Sequence, residues 1–147
     1  MAKPFRFNLE RILDIRTQLE ERARMELGKA IAAHHAQERE VLRLKNELAA
    51  REASMAQKKD PTPGDFWLWR AYRERLVYDI AQAELKLEEL AEARERCREA
   101  AVARSKDRKL LDKLKTKKAA RHVIEQNIAE QNENDEMASV RYQPPSY

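Results

Sequence analysis

The sequence predicts an all-α fold of two long helices forming an antiparallel coiled-coil hairpin, with the second helix overhanging the first. Three observations predict it. Charged residues fill 38% of the 147 positions and glycine only two, and Ala, Glu, Lys, Leu and Arg dominate, a composition of long helices rather than of a layered domain. Apolar residues recur at alternating steps of three and four over long stretches, the spacing of a coiled-coil seam. One cluster of helix breakers, Asp60-Pro61-Thr62-Pro63-Gly64-Asp65, separates two such stretches.

The first helix is expected over about 8–58. Asn8 is a good N-cap, and Phe7 before it with Ile12 after it forms a hydrophobic staple. Leu9, Ile12, Arg16, Leu19 and Ala23 carry the first part of the seam, with Leu13 and Ile15 widening it. From Leu27 the seam runs through Ala30, His34, Gln37, Val41, Leu44, Leu48, Arg51 and Met55. Joining the two parts takes consecutive steps of four, so a phase shift falls between Leu19 and Leu27, next to Gly28. A change of supercoil or a soft spot is expected there.

The hinge is expected at 60–65. Two prolines this close cannot both lie inside one helix, because each lacks an N–H and displaces the residue before it. Thr62 suits an N-cap, Pro63 the first turn, and Asp65 the third position of a capping box. So short a connection favours antiparallel neighbours.

The second helix is expected over about 63–136. Its seam reads Trp69, Arg73, Leu76, Ile80, Ala83, Leu87, Leu90, Arg94, Cys97, Ala101, Arg104 and Arg108. Opposing seam residues in an antiparallel pair have numbers adding to a constant, and Leu48 with Leu76, Leu44 with Ile80 and Leu27 with Cys97 all give about 124. In that register residues beyond about Leu114 lose their partner, while Leu110, Leu114, Ile124 and Ile128 continue a thin apolar stripe. Near the hinge two readings stand: Trp69 and Phe66 plug the turn, or an exposed Trp67 forms a docking patch. Residues 1–138 make one domain in this reading, and 139–147, with Pro144 and Pro145, a disordered tail.

Net charge is +4, but unevenly spread. Residues 104–121 carry about nine basic groups against two acidic, 3–24 about six against four, and 122–136 are acidic. A hairpin brings the first two segments together as a basic free end. No run of apolar residues is long enough for a membrane-spanning helix and no signal-peptide pattern opens the chain, which gives a cytosolic expectation. Cys97 is the one cysteine and can form no internal disulfide.

The chemistry of an enzyme has little to build on. Two glycines cannot make a phosphate-cradling loop. His34 and His35 are adjacent, so they are expected on different faces, and no metal or cofactor site is expected. Clustered Lys and Arg at 104–121 suit nucleic acid as a rival partner, but no aromatic is interleaved to stack bases, and no nucleic-acid partner is expected.

Phe5-Arg6-Phe7-Asn8-Leu9-Glu10-Arg11-Ile12-Leu13-Asp14-Ile15-Arg16 resembles the N-terminal pattern of the FliJ family of the bacterial flagellar type III export apparatus. Tyr72, Leu76 and Ile80 resemble its central Y-x3-L-x3-I spacing, and Leu111-Asp112-Lys113-Leu114-Lys115 its LEKLK-like segment, with Asp112 in place of Glu. Glu130-Gln131 and Asp135-Glu136-Met137-Ala138 resemble its closing elements, though Asn132 replaces a lysine. The resemblance implies a non-enzymatic, stalk-like coiled coil at the cytoplasmic face of the flagellar base. Its implied partners are the hexameric export ATPase (FliI), the export gate (FlhA) and export chaperones. On that implication the ATPase contact falls on Phe5, Phe7, Arg11, Arg16, Lys113, Lys117, Arg121, Asp135 and Glu136, and the gate or chaperone contact on Trp67 and Tyr72. A generic coiled-coil adaptor or injectisome stalk is the alternative.

Overall fold

The computed structural model describes residues 3–146. It is all-α: α1 spans Glu10–Ala56 and α2 spans Pro63–Arg141, packed against each other, with no strand among the described residues. Two compact units divide the chain, a turn unit of Glu21–Ala103 and a terminal unit of Met1–Glu20 with Arg104–Tyr147.

In the turn unit the seam spacing does what it predicts. Val41, Leu44, Leu76 and Ala83 form the buried core, with Leu48, Ile80 and Leu87 packed against it. Leu76 is the most enclosed of these at 4% exposure. Polar seam residues find partners across the helices: Gln37 Nε2 donates to the Ala83 carbonyl at 2.9 Å, and Arg94 Nη1 lies 3.3 Å from His34 Nδ1. Lys45–Glu84 at 2.8 Å and Arg73–Glu52 at 3.2 Å flank the seam.

The hinge closes as its residues dictate. Gln57 and Lys58 donate back to Ala53 and Met55, ending α1. Asp60 takes the left-handed conformation at φ 50°, which short polar Asp tolerates better than most residues. The capping box then starts α2: the Thr62 N–H donates to Asp65 Oδ2 at 2.9 Å, and the Asp65 N–H to Thr62 Oγ1 at 3.1 Å. Lys58 reaches the same carboxylate at 3.1 Å.

The terminal unit departs from the sequence reading in three ways. First, the helix begins at Glu10, and Asn8 does not cap it by its side chain, whose Oδ1 accepts from Lys118 Nζ at 3.4 Å. Residues 3–9 instead run along α2. The Lys3 carbonyl accepts from His122 Nε2 at 2.9 Å and Gln126 Nε2 at 2.6 Å, the Phe5 ring lies 5.6 Å from the His122 ring, and the Lys118 ammonium lies over Phe7 at 6.0 Å. Second, α2 therefore keeps a partner as far as Gln126, well past Leu114.

Third, no phase shift exists. The buried line in the first turns passes through Leu13 and Glu20, leaving Ile12 and Ile15 exposed. Leu9, Leu13, Arg16, Glu20, Ala23 and Leu27 step by four, three, four, three and four, so the seam of α1 is continuous. Glu20, which the expected seam leaves out, is only 4% exposed, and Arg108 Nε donates to it at 2.5 Å. Helix α2 extends to Arg141, past the expected 136, and 142–146 have no regular structure.

Candidate functional site

The surface that stands out is the outer face of α2 in the terminal unit. Seam positions Arg108, Lys115 and Lys118 turn inward to Glu20, Glu10 and Asn8. Opposite them Lys106, Lys109, Lys113, Lys117 and Arg121 recur at steps of three and four, which puts them on one side of the helix. All five are exposed, and none is paired with a carboxylate among the described residues. Leu110, 66% exposed, sits within this stripe, and Ile124 and Ile128 continue it, both exposed.

Charge on the inner side is spent. Arg108 bridges Glu20 and Asp112, and the hydrogen bond it donates to Glu20 pushes its guanidinium pKa up, so it stays cationic. Arg16 reaches Asp107 at 3.6 Å. The two sides of one helix thus differ: inner cations hold the fold, and outer cations face solvent.

Of the residues implied by the resemblance, Lys113, Lys117 and Arg121 lie together on the outer stripe, and Arg11 is exposed on α1. Phe5 is half-buried, and Phe7, at 8% exposure, is enclosed. Their rings hold the N-terminal segment on α2 rather than forming a free contact surface. Asp135 and Glu136 are exposed on the last turns of α2. Sequence reasoning missed Lys106 and Lys109, although the same periodicity includes them.

At the hinge, Trp67 is 70% exposed and Phe66 and Leu68 are exposed beside it, while Trp69 is half-buried. Phe66 therefore does not plug the turn. Tyr72 is engaged within the hairpin. Its hydroxyl donates to Glu47, Arg51 lies over its ring at 5.6 Å, and its ring packs at 6.3 Å from Trp69. The Glu47 hydrogen bond raises its pKa, holding the phenol neutral.

One group of metal-ligand types converges among the described residues: His34, His35 and Glu38. Though adjacent, the histidines both reach one carboxylate, with Nδ1 to oxygen distances of 2.7 Å and 4.0 Å. The Arg94 guanidinium 3.3 Å from His34 Nδ1 opposes a cation there.

A protein so built is a two-helix coiled coil that presents charge on a helix face, and no helix among the described residues is long and apolar enough to cross a membrane. The chain belongs to the family of the flagellar FliJ protein, whose family model matches residues 5–145. That family is a non-catalytic component of the flagellar protein export apparatus. No curated protein and no solved structure matches the chain.

Proposed function

We propose that this protein is the stalk-like coiled coil that binds the hexameric export ATPase ring (FliI), promotes its assembly and couples it to the export gate (FlhA) and to export chaperones. It works peripherally at the cytoplasmic face of the flagellar base. The observation that carries this reading is the outer stripe of α2, five exposed cations with no carboxylate partner among the described residues. A one-sign surface recognises a complementary acidic collar and accelerates encounter with it.

In this reading Lys113, Lys117 and Arg121 make the central contact, extended by Lys106 and Lys109. Arg11 contributes beside it, Arg16 acts through its ion pair with Asp107, and Asp135 and Glu136, past the cationic stripe, meet basic groups of the ring rather than its acidic collar. Phe5 and Phe7 act by holding the N-terminal segment on α2. Gate or chaperone contact falls at the hinge on Trp67, with Tyr72 stiffening the helix pair behind it.

The test is Lys113→Glu/Lys117→Glu/Arg121→Glu in the full chain. Helicity stays as in the wild type while affinity for the ATPase ring drops at least tenfold, given about 1 kcal/mol or more per reversed contact. ATPase stimulation falls with it. Undiminished stimulation by a folded triple variant sinks the assignment. Capture of the ATPase from a mixture with an injectisome homologue separates the flagellar stalk from a general adaptor.

A further inference from the structure

Helix α2 carries a second seam in the turn unit, on the side opposite Leu76. Trp67, Ala71, Glu74, Tyr78, Ala81 and Leu85 step by four, three, four, three and four, the same period that packs α2 on α1. Trp67 and Leu85 are eighteen residues apart, five full turns, and so lie on one line along the helix. All six are exposed: Trp67 at 70%, Tyr78 at 59% and Leu85 at 54%, with Ala71, Glu74 and Ala81 between them. Three large side chains at coiled-coil spacing on a solvent face are an unpartnered stripe, not scattered surface apolars.

The order of sizes along this stripe identifies its occupant. Read from either end it goes large, small, polar or aromatic, small, large. An antiparallel copy of the same helix, with its twofold axis beside residue 76, complements it position by position. From this self-complementarity we infer that the face is an isologous interface for a second copy of this chain.

Trp67 packs on the partner's Leu85, Ala71 lies against the partner's Ala81, and the Tyr78 hydroxyl donates to the partner's Glu74. Val77, also exposed, sits beside the axis and meets its own copy. At the edge, Arg70 faces the partner's Glu84, so opposite charges meet at both ends. Both edge groups are exposed, in surface pairs with Glu74 and Lys45. The contact stays self-consistent under the twofold, as an isologous interface requires.

The seam runs for about 27 Å of helix at 1.5 Å per residue and ends where Glu88 and Glu92 take the next seam positions. So short an interface lies at the lower end of specific contacts, and the dimer is reversible, with a Kd on the order of tens of micromolar. This inference does not rest on the ATPase assignment. It does compete with the hinge contact proposed above, because the dimer covers Trp67.

Sedimentation equilibrium of the full chain from roughly 5 to 500 μM tests it, a range that brackets such a Kd. The expected result is a monomer–dimer equilibrium that Leu85→Lys weakens at least tenfold, with helicity by circular dichroism unchanged. Independently, Val77→Cys in a Cys97→Ser background is expected to form a disulfide dimer under mild oxidation, faster than Leu110→Cys in the same background. A chain that stays monomeric throughout overturns the inference. So does a dimer indifferent to Leu85→Lys, or a residue-77 disulfide no faster than the control.

Discussion

The turn unit and the terminal unit use one seam spacing with opposite chemistry. In the turn unit the inward positions are Val41, Leu44, Leu76 and Ala83. In the terminal unit they include Arg16, Glu20, Arg108 and Lys115, joined to each other or to their neighbours by ion pairs. Apolar burial is non-directional and worth about 25 cal/mol per Å². Ion pairs, whether half-exposed like Arg16–Asp107 and Lys115–Glu10 or with a buried partner like Glu20, contribute little net stability but fix which residue faces which. The turn unit therefore stores the stability, and the terminal unit spends sequence on charge, with outer cations that join no ion pair among the described residues.

The sharpest way to break this contrast is Leu76→Ala. Leu76 is the best enclosed large apolar side chain of the turn unit, and its truncation is expected to cost about 2–4 kcal/mol. Urea unfolding followed by circular dichroism checks it. A loss below that of any terminal-unit variant overturns the contrast.

Next in size is Phe7→Ala, expected to cost about 1–3 kcal/mol, less than a full core deletion because a lysine rather than a packed apolar wall covers the ring. The loss is local. Amide exchange of α2 around 118–126 quickens, while that around Leu76 and Ala83 is unchanged. Equal acceleration in both regions argues that the two units are not energetically distinct.

How much of this was legible in the sequence depended on whether a period encoded it. The turn-unit core follows from the three-and-four spacing alone, and the capping box from Thr62, Pro63 and Asp65. The path of the seam at Glu20 was misread because apolar Leu19 and Ile12 looked like better core residues than a carboxylate. Only the unbroken spacing, with Arg108 opposite, identifies Glu20 as an inward position. Lys106 and Lys109 were hidden differently: their period was visible, but a run of charges gives no sign of which members pair inside the chain. The path of the N-terminal segment along α2 was not legible, although Phe7 and Asn8 were read as a helix start. The segment is irregular up to the turn at 8–9, has no period, and its anchors on His122 and Gln126 lie over a hundred residues away.

A smaller effect tests the hinge itself. Thr62→Ala removes the hydroxyl that accepts the Asp65 N–H and is expected to cost about 1 kcal/mol, the usual worth of an N-cap. Chemical denaturation at neutral pH measures it. No change beyond about 0.3 kcal/mol means that the prolines alone set the turn.

The smallest expected effect is the pH response of the same box. The Asp65 pKa is held below its ordinary value of 3.8, chiefly by the Thr62 backbone N–H and then by Lys58. A carboxylate with a depressed folded pKa favours the fold only when ionised. Its contribution is thus full above the unfolded pKa, and is lost as pH falls from about 4 through the lower folded value. Asp65→Asn removes that dependence and leaves the other carboxylates titrating as before. The difference in urea midpoint between wild type and Asp65→Asn is therefore expected to be largest near neutrality and to shrink at pH below about 3. A difference that stays constant over that interval shows that the Asp65 charge is not what the capping box uses, and that hydrogen-bond geometry, which Asn can partly imitate, is.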